Sequence, residues 1–287
     1  MRAIASLLAL GLLSCVSTLS LAQKPSAVFT SFDFPGSNAT SPGAITPDGK
    51  IVGDYVGPDG NQHGFLLSHG TFQTIDFPGS TRTTVRWINA NGRMVGEYTD
   101  AAGKIHAYVL TGRQFTSFDY PGAAGTVAFG IGNSGDIVGP WTSLPFTFHG
   151  YLLRRGSLST IEYPGAMWTL PTMIVGQNIV GGWFDTNFTS HGFLLNLNTG
   201  VFQEISCPGY TKVFLSGLNP LGDMTGGFNS SDGVLHGLLV RNGTCISIDF
   251  PGATSTYSNS ENPKGIILGR YTSSDGKTHG YLLTGMK

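Results

Sequence analysis

The chain has 287 residues, only 11% of them charged, and its 17 acidic and 16 basic side chains leave a formal net charge of −1. With no basic stripe denser than Arg154-Arg155, it lacks the phosphate-neutralising face that a nucleic-acid partner needs. Hydrophobic residues at 40% exclude a disordered chain, and 42 glycines argue against a helical one, each costing about 1 kcal/mol against Ala in a helix interior.

The chain begins like an export signal. Arg2 supplies a positive start, Ala3 to Leu13 an apolar run, and Ser20-Leu21-Ala22 a small-x-small cleavage site before Gln23. Ser14, Ser17, Thr18 and Ser20 break the run before it reaches the roughly 20 apolar residues of a spanning helix. Leu12-Leu13-Ser14-Cys15 also looks like a lipobox, which would make Cys15 a lipidated N-terminus. The apolar segment continues past Cys15, which favours cleavage after Ala22 with no membrane anchor left behind. Residues 1–22 are therefore expected to be a signal peptide, 23–28 a short linker and 29–287 one repeated domain.

From Phe29 onward a unit of about 43 residues is written six times. Its Pro-Gly pair recurs at Pro35, Pro78, Pro121, Pro164, Pro208 and Pro251. Its histidine recurs at His63, His106, His149, His191, His236 and His279, each preceded ten residues earlier by a glycine: Gly53, Gly96, Gly139, Gly181, Gly226 and Gly269. In the first copy, Gly43–Thr46 reads as a short strand, Lys50–Tyr55 as a second, His63–Ser68 as a third and Thr71–Phe77 as a fourth. Pro47-Asp48-Gly49 and Pro58-Asp59-Gly60 read as turns, and His69-Gly70 and Asn242-Gly243 as two-residue hairpin turns. Four short strands per unit predict one propeller blade.

The ends of the array complement each other. Phe29–Phe34 is a fourth strand without its blade, and the last copy stops at its third strand near Leu283. These features predict an all-β, six-bladed β-propeller with four antiparallel strands per blade, the N-terminal strand closing the last blade, in preference to an open solenoid.

The hairpin register pairs each histidine with an acid: His63 with Asp76, His106 with Asp119, His149 with Glu162, His236 with Asp249, and His279 with Asp33 through closure. In the fourth copy Ser206 stands opposite His191, which is expected to lack its acid. One histidine per blade cannot converge on a metal, and chemistry that happens once would break the repetition at one copy. The pairs are read as structural staples, with no catalytic residue, metal or cofactor expected. Cys207 and Cys245 are assigned to opposite rims and expected to be two buried thiols in place of aromatic residues.

The units Asp-Phe-Pro-Gly, Ile-Val-Gly-Asp-Tyr and His-Gly-Phe-Leu-Leu resemble the bacterial extracellular family named for its His-Ala-Phe tripeptide. The tripeptide reads His63-Gly64-Phe65, His106-Ala107-Tyr108, His149-Gly150-Tyr151, His191-Gly192-Phe193, His236-Gly237-Leu238 and His279-Gly280-Tyr281, with no literal His-Ala-Phe. The likeness spans residues 29–287 and implies a secreted or surface-exposed bacterial protein; the expected location of the exported chain is secreted or periplasmic. It carries no catalytic residues.

A binding site is expected where the copies differ, on the face that shares the fourth-to-first and second-to-third strand loops. Arg82, Trp87, Phe146, Phe148, Trp168, Phe188 and Lys212 vary there, and aromatic platforms beside cations suit a carbohydrate or a protein ligand. Trp141 and Trp183, at a position that is aromatic in every copy, are read as packing residues. Asp54, Glu97 and Arg270 form a second unequal ring, either a polar pocket near the channel mouth or an ordinary inter-blade ion pair. The expected function is an exported, non-catalytic binding propeller. A glycan- or lactone-directed hydrolase working in the channel and a purely structural envelope protein are the alternatives.

Overall fold

The computed structural model describes residues 27–143 and 147–286; the leader with its cleavage site, Cys15 and Phe146 lie outside the described residues. Six antiparallel sheets are arranged as blades, each running outward from the axis through strands a, b, c and d. In blade 1 these are Ala39–Ile45, Ile51–Val56, Gln62–Ser68 and Thr71–Ile75. Blade 6 takes its strand d from the start of the chain: Val28–Phe32 pairs with Thr278–Thr284, placing Phe29 opposite Leu283 and Ser31 opposite Tyr281. The ring is closed as the orphan strands predict, and the open ends of a stack are removed. Among the described residues no helix is long and apolar enough to cross a membrane.

Local chemistry explains the turns. His69-Gly70 and Asn242-Gly243 both carry two positive φ angles, at 50° and 76° and at 50° and 74°, the type I′ geometry whose twist matches the flanking strands. Each Pro-Gly connector leads into an inner strand, and all but the Pro208-Gly209 connector, where Val213 stands at the equivalent place, are tied back by a threonine. The Phe34, Phe77, Tyr163 and Phe250 amides donate to the hydroxyls of Thr40, Thr83, Thr169 and Thr256, all at 3.0 Å.

The core lies between blades rather than inside any one of them. Ala44, Val52 and Ile75 of blade 1 pack against Val85, Ile88, Met94 and Tyr108 of blade 2, and the same wedge recurs around the ring. On its outer side each wedge is finished by a stack. Phe34 from the incoming connector lies flat on Tyr55 at 3.6 Å, and Tyr55 lies on His63 at 5.3 Å. The His63 imidazole then donates Nδ1 to Asp76 at 3.0 Å, while its Nε2 faces Asp59 of the b–c loop at 3.4 Å. The other expected pairs also lie within hydrogen-bond reach: His106–Asp119 at 2.9 Å, His149–Glu162 at 2.7 Å, His236–Asp249 at 2.6 Å and His279–Asp33 at 2.9 Å.

His191 departs from its expectation. Ser206 does replace the acid opposite it, but Glu204 approaches Nδ1 at 3.5 Å and Asp185 approaches Nε2 at 3.4 Å. Carboxylates from the next outward-facing position of strand d and from the loop flank the ring, so the histidine is not without an acid.

The repeated strand-b glycine has a steric cause. A Cβ on Gly96 would lie 2.0 Å from the Thr84 carbonyl oxygen, and one on Gly139 would lie 2.0 Å from that of Val127. The inner strands crowd these positions because each is interrupted by a bulge, as between Val85 and Trp87 or Ser258 and Ser260. The bulge also explains why strand a starts at Ala39, four residues before the Gly43 start read from the sequence: Gly43 interrupts a strand rather than opens one.

Cys207 and Cys245 form a disulfide, with Cα atoms 5.8 Å apart, so the expectation of two separate thiols is wrong. The aromatic residue of each connector reaches over the next blade to the second residue of its strand d, as Phe34 meets Phe72 at 5.1 Å and Phe77 meets Phe115 at 5.1 Å. Cys207 and Cys245 occupy both halves of that pair in blade 5 and replace a ring contact with a covalent one. Tyr210 takes over the missing stack, lying 3.6 Å from Phe228.

Candidate functional site at the channel mouth

The six bulges point one residue per blade into the axial channel, at Gly43, Arg86, Phe129, Thr172, Ser216 and Asn259. Beneath them Trp87 follows the bulge in blade 2, where the corresponding residues of blades 1, 3, 5 and 6 are Ala44, Gly130, Gly217 and Ser260. Those small residues leave room for the indole, which packs against the wedges on several sides of the ring. Trp87 therefore lies inside the channel, not among the face loops where sequence order suggested. It separates a cavity of about 240 Å³ on the loop face from one of about 250 Å³ on the opposite face.

The upper cavity is sharply two-sided. Phe129, Leu170, Phe214 and Tyr257 form an apolar wall, while Asp54, Arg86 and Arg270 form a charged one. The residue after the strand-b glycine decides which wall a blade contributes. Gly182 and Gly227 are small, and the rings of Phe214 and Tyr257 from the next blade lie within 2.6 Å of where their Cβ atoms would be. Asp54, Glu97 and Arg270 fill the same position in blades 1, 2 and 6.

Asp54 and Arg270 thus share the cavity. Glu97 is buried beside it and accepts from Arg86 Nε at 3.0 Å. Gln62 donates to Asp54, and burial still pushes the Asp54 carboxyl above its ordinary range, against the pull of Arg86.

Above this cavity, aromatic residues rim blades 3 and 4. Trp168 opens the inner strand Trp168–Val175 and touches Phe148 at 5.2 Å, Phe188 at 5.3 Å and Phe184 at 5.4 Å. Phe184 in turn meets Phe214 at 6.2 Å, so an aromatic path descends from the rim to the cavity wall. Phe188 is 57% exposed and holds a left-handed backbone with φ 59°. Gly60, Gly103, Gly233 and Gly276 take the same place, three residues before the histidine, at φ 80–84°. A bulky residue there is strained by about 1 kcal/mol.

The sequence candidates therefore separate. Phe148, Trp168 and Phe188 come together, and Trp87, Asp54 and Arg270 line the cavity below. Arg82 opens the inner strand of blade 2 beside His63 and Asp76, in a groove between blades 1 and 2, its Nε buried without a partner among the described residues. Lys212 lies beside His191 and Glu204 in the equivalent groove between blades 4 and 5. Trp141 and Trp183 pack as expected, sandwiched between Tyr120 and His149 and between Tyr163 and His191. Sequence reasoning missed Arg86, Phe129, Phe214 and Tyr257 as cavity residues. The period itself carried the signal, since the bulge residues are unlike one another within otherwise matching copies.

No family model matches the chain, and no curated protein matches it. Solved structures do. TolB from Acinetobacter baumannii is 18% identical over 86% of this chain and 55% of its own, with a TM-score of 0.54. The six-bladed lectin of Aleuria aurantia, described by its fucose recognition mode, is 11% identical over 88% of this chain and 95% of its own, with a TM-score of 0.54. AofleA from Arthrobotrys oligospora is 11% identical over 90% and 86%, with a TM-score of 0.57. This chain spans only about half of the Acinetobacter protein. At such identities the likeness establishes the six-bladed propeller fold and no more.

Proposed function

We propose that this protein is an exported, non-catalytic binding propeller that receives a saccharide at the loop-face mouth of its channel. The observation that carries the reading is Phe188: a phenylalanine in a glycine's conformation, exposed at a loop tip and packed on Trp168. Folding alone favours glycine there, as four other blades have it. A flat aromatic rim beside a half-charged cavity suits the apolar face and hydroxyl edge of a sugar ring. The fucose-recognising lectin among the structural neighbours supports the same class of ligand.

Export is supported by the leader and by the Cys207–Cys245 disulfide, since such bonds belong to oxidising compartments. The sixfold His-Gly/Ala unit, followed by an aromatic residue in five copies and by Leu238 in the other, supports a place in the extracellular His-Ala-Phe repeat family. Hydrolysis fits the cavity less well. A glycosidase needs two carboxylates free to serve as acid and base or nucleophile, whereas Arg86 holds Glu97 and Gln62 holds Asp54.

A glycan array of the purified protein, followed by thermal-shift titration of the hits, tests the reading. A bound saccharide should raise the melting temperature by mass action, and Trp168→Ala should weaken binding by about tenfold or more, the scale of a lost aromatic stacking contact. An array with no saccharide bound, or affinity unchanged in Trp168→Ala, would contradict it.

A further inference from the structure

The charged wall of the upper cavity holds a cation that has no carboxylate in direct contact among the described residues, although Asp54 acts on it through space. Arg86 is matched by Glu97 through both Nε and Nη2. Arg270, from strand b of blade 6, has no carboxylate within 4 Å among the described residues. Its guanidinium lies 4.5 Å from the centre of the Tyr257 ring and donates only Nη1, at 3.4 Å, to Asn259 Oδ1. The rest of its fork has no acceptor among the described residues, and the side chain lines the cavity. Asp54, the other charge on this wall, is held by Gln62 instead. Burial keeps the Arg270 guanidinium below its ordinary value, the direction expected of a cation short of partners.

Two hydroxyls of the cavity are turned to the backbone. Thr172 donates to the carbonyls of Val180 and Leu215, and Ser216 donates to those of Ser258 and Asn259. Facing the space are a planar, forked donor that rests on the Tyr257 ring and the apolar side chains of Phe214, Leu170 and Phe129. A forked guanidinium matches a carboxylate with two parallel hydrogen bonds. A small site of this kind is defined by a few convergent polar groups in an apolar lining.

We propose that the channel cavity is a carboxylate site built on Arg270, taking a ring-bearing monocarboxylate whose ring lies against Phe214 and Leu170. The inference rests on the saccharide reading for one of its two sources, the uronic-acid type of sugar; the other source of the same chemistry is an aromatic acid. The carboxylate supplies the direct ion pair that Arg270 lacks, and the rim above guides the remainder of the ligand.

Calorimetric titration of the full protein with glucuronate and with benzoate, each against its neutral analogue methyl glucoside or benzyl alcohol, tests the inference. At least one acid should bind about tenfold or more tightly than its neutral analogue, and Arg270→Gln should remove that preference. Asp54→Asn removes a competing negative charge and should tighten binding of the acid. Arg82→Gln, in a groove outside the cavity, should change nothing. Binding of glucuronate alone identifies the sugar source and binding of benzoate alone the aromatic acid. Arg270→Lys keeps the charge but loses the fork, and should bind with intermediate affinity if Arg270→Gln does not fold. Equal binding of acids and neutral analogues, no binding of either acid at millimolar concentration, or unchanged affinity in the Arg270 variants would overturn the carboxylate site. Neutral saccharides lost in Trp168→Ala would still leave the wider reading standing.

Discussion

Phe188 and Gly60 occupy the same corner of the b–c loop in their blades, at φ 59° and 80°, yet one carries a benzyl group that lies on Trp168 and the other carries nothing. The difference separates stability from binding. Phe188→Gly should relieve the left-handed strain and leave the protein as stable or more stable, by up to about 1 kcal/mol, while weakening the saccharide. Denaturant midpoints and titrations on the same variant check both halves. A variant that loses stability and keeps its affinity would return Phe188 to a packing role.

The disulfide gives the second prediction. It closes 38 residues between the exit of blade 4 and strand d of blade 5, and a loop of that size contributes about 4 kcal/mol in the chain-entropy account. Cys207→Ala with Cys245→Ala should lower the melting temperature by roughly 10 °C, as should reduction. A scan within a degree of the parent would show that the stack of Tyr210 on Phe228 already holds that wedge.

The histidine staples give a signed pH dependence. In the fold His63 is opposed by burial, but Asp76 and Asp59 outweigh it and raise its pKa above 6.5. The contribution is fully present below 6.5 and fades as pH rises through the raised folded value. His63→Ala should therefore cost about 1–2 kcal/mol at pH 5.5. The deficit should shrink by pH 9 to the part due to lost stacking on Tyr55. Melting curves of parent and variant across that range decide it; a constant difference would assign the whole effect to stacking.

Strand-b glycine is the strictest position in the blade. A methyl group on Gly96 would meet the Thr84 carbonyl at 2.0 Å, where the contact is backbone and cannot swing aside. Gly96→Ala should cost about 3 kcal/mol or more, while Ala at Gly125, whose nearest neighbours are the Thr142 hydroxyl at 3.3 Å and Ile105, should cost far less. Chemical denaturation of the two variants compares them directly.

The period, the four strands, the closure of Val28–Phe32 onto Thr278–Thr284 and the histidine–acid pairs were legible because each follows from short-range spacing repeated six times. What was hidden depended on depth along the axis. A bulge shifts Trp87 out of the loops and into the channel, and no single copy reveals that, because Gly43 reads as the start of a strand when it interrupts one. The cysteines were misjudged for a related reason: the connector crosses over the next blade, so residues assigned to opposite rims meet. The rim cluster was legible as variation between copies, but Arg82 and Lys212, equally variable, went to grooves between blades. Spacing cannot tell a rim from a groove.

The chain has four tryptophans, and their indole N–H signals sample both candidate and control positions. In a ¹⁵N-labelled sample titrated with the saccharide hit, the account predicts that the Trp168 and Trp87 signals shift. Trp141 and Trp183, sandwiched under His149 and His191, should stay in place. Stationary Trp168 and Trp87 signals in the presence of saturating ligand, or movement confined to Trp141 and Trp183, would contradict binding at the channel mouth.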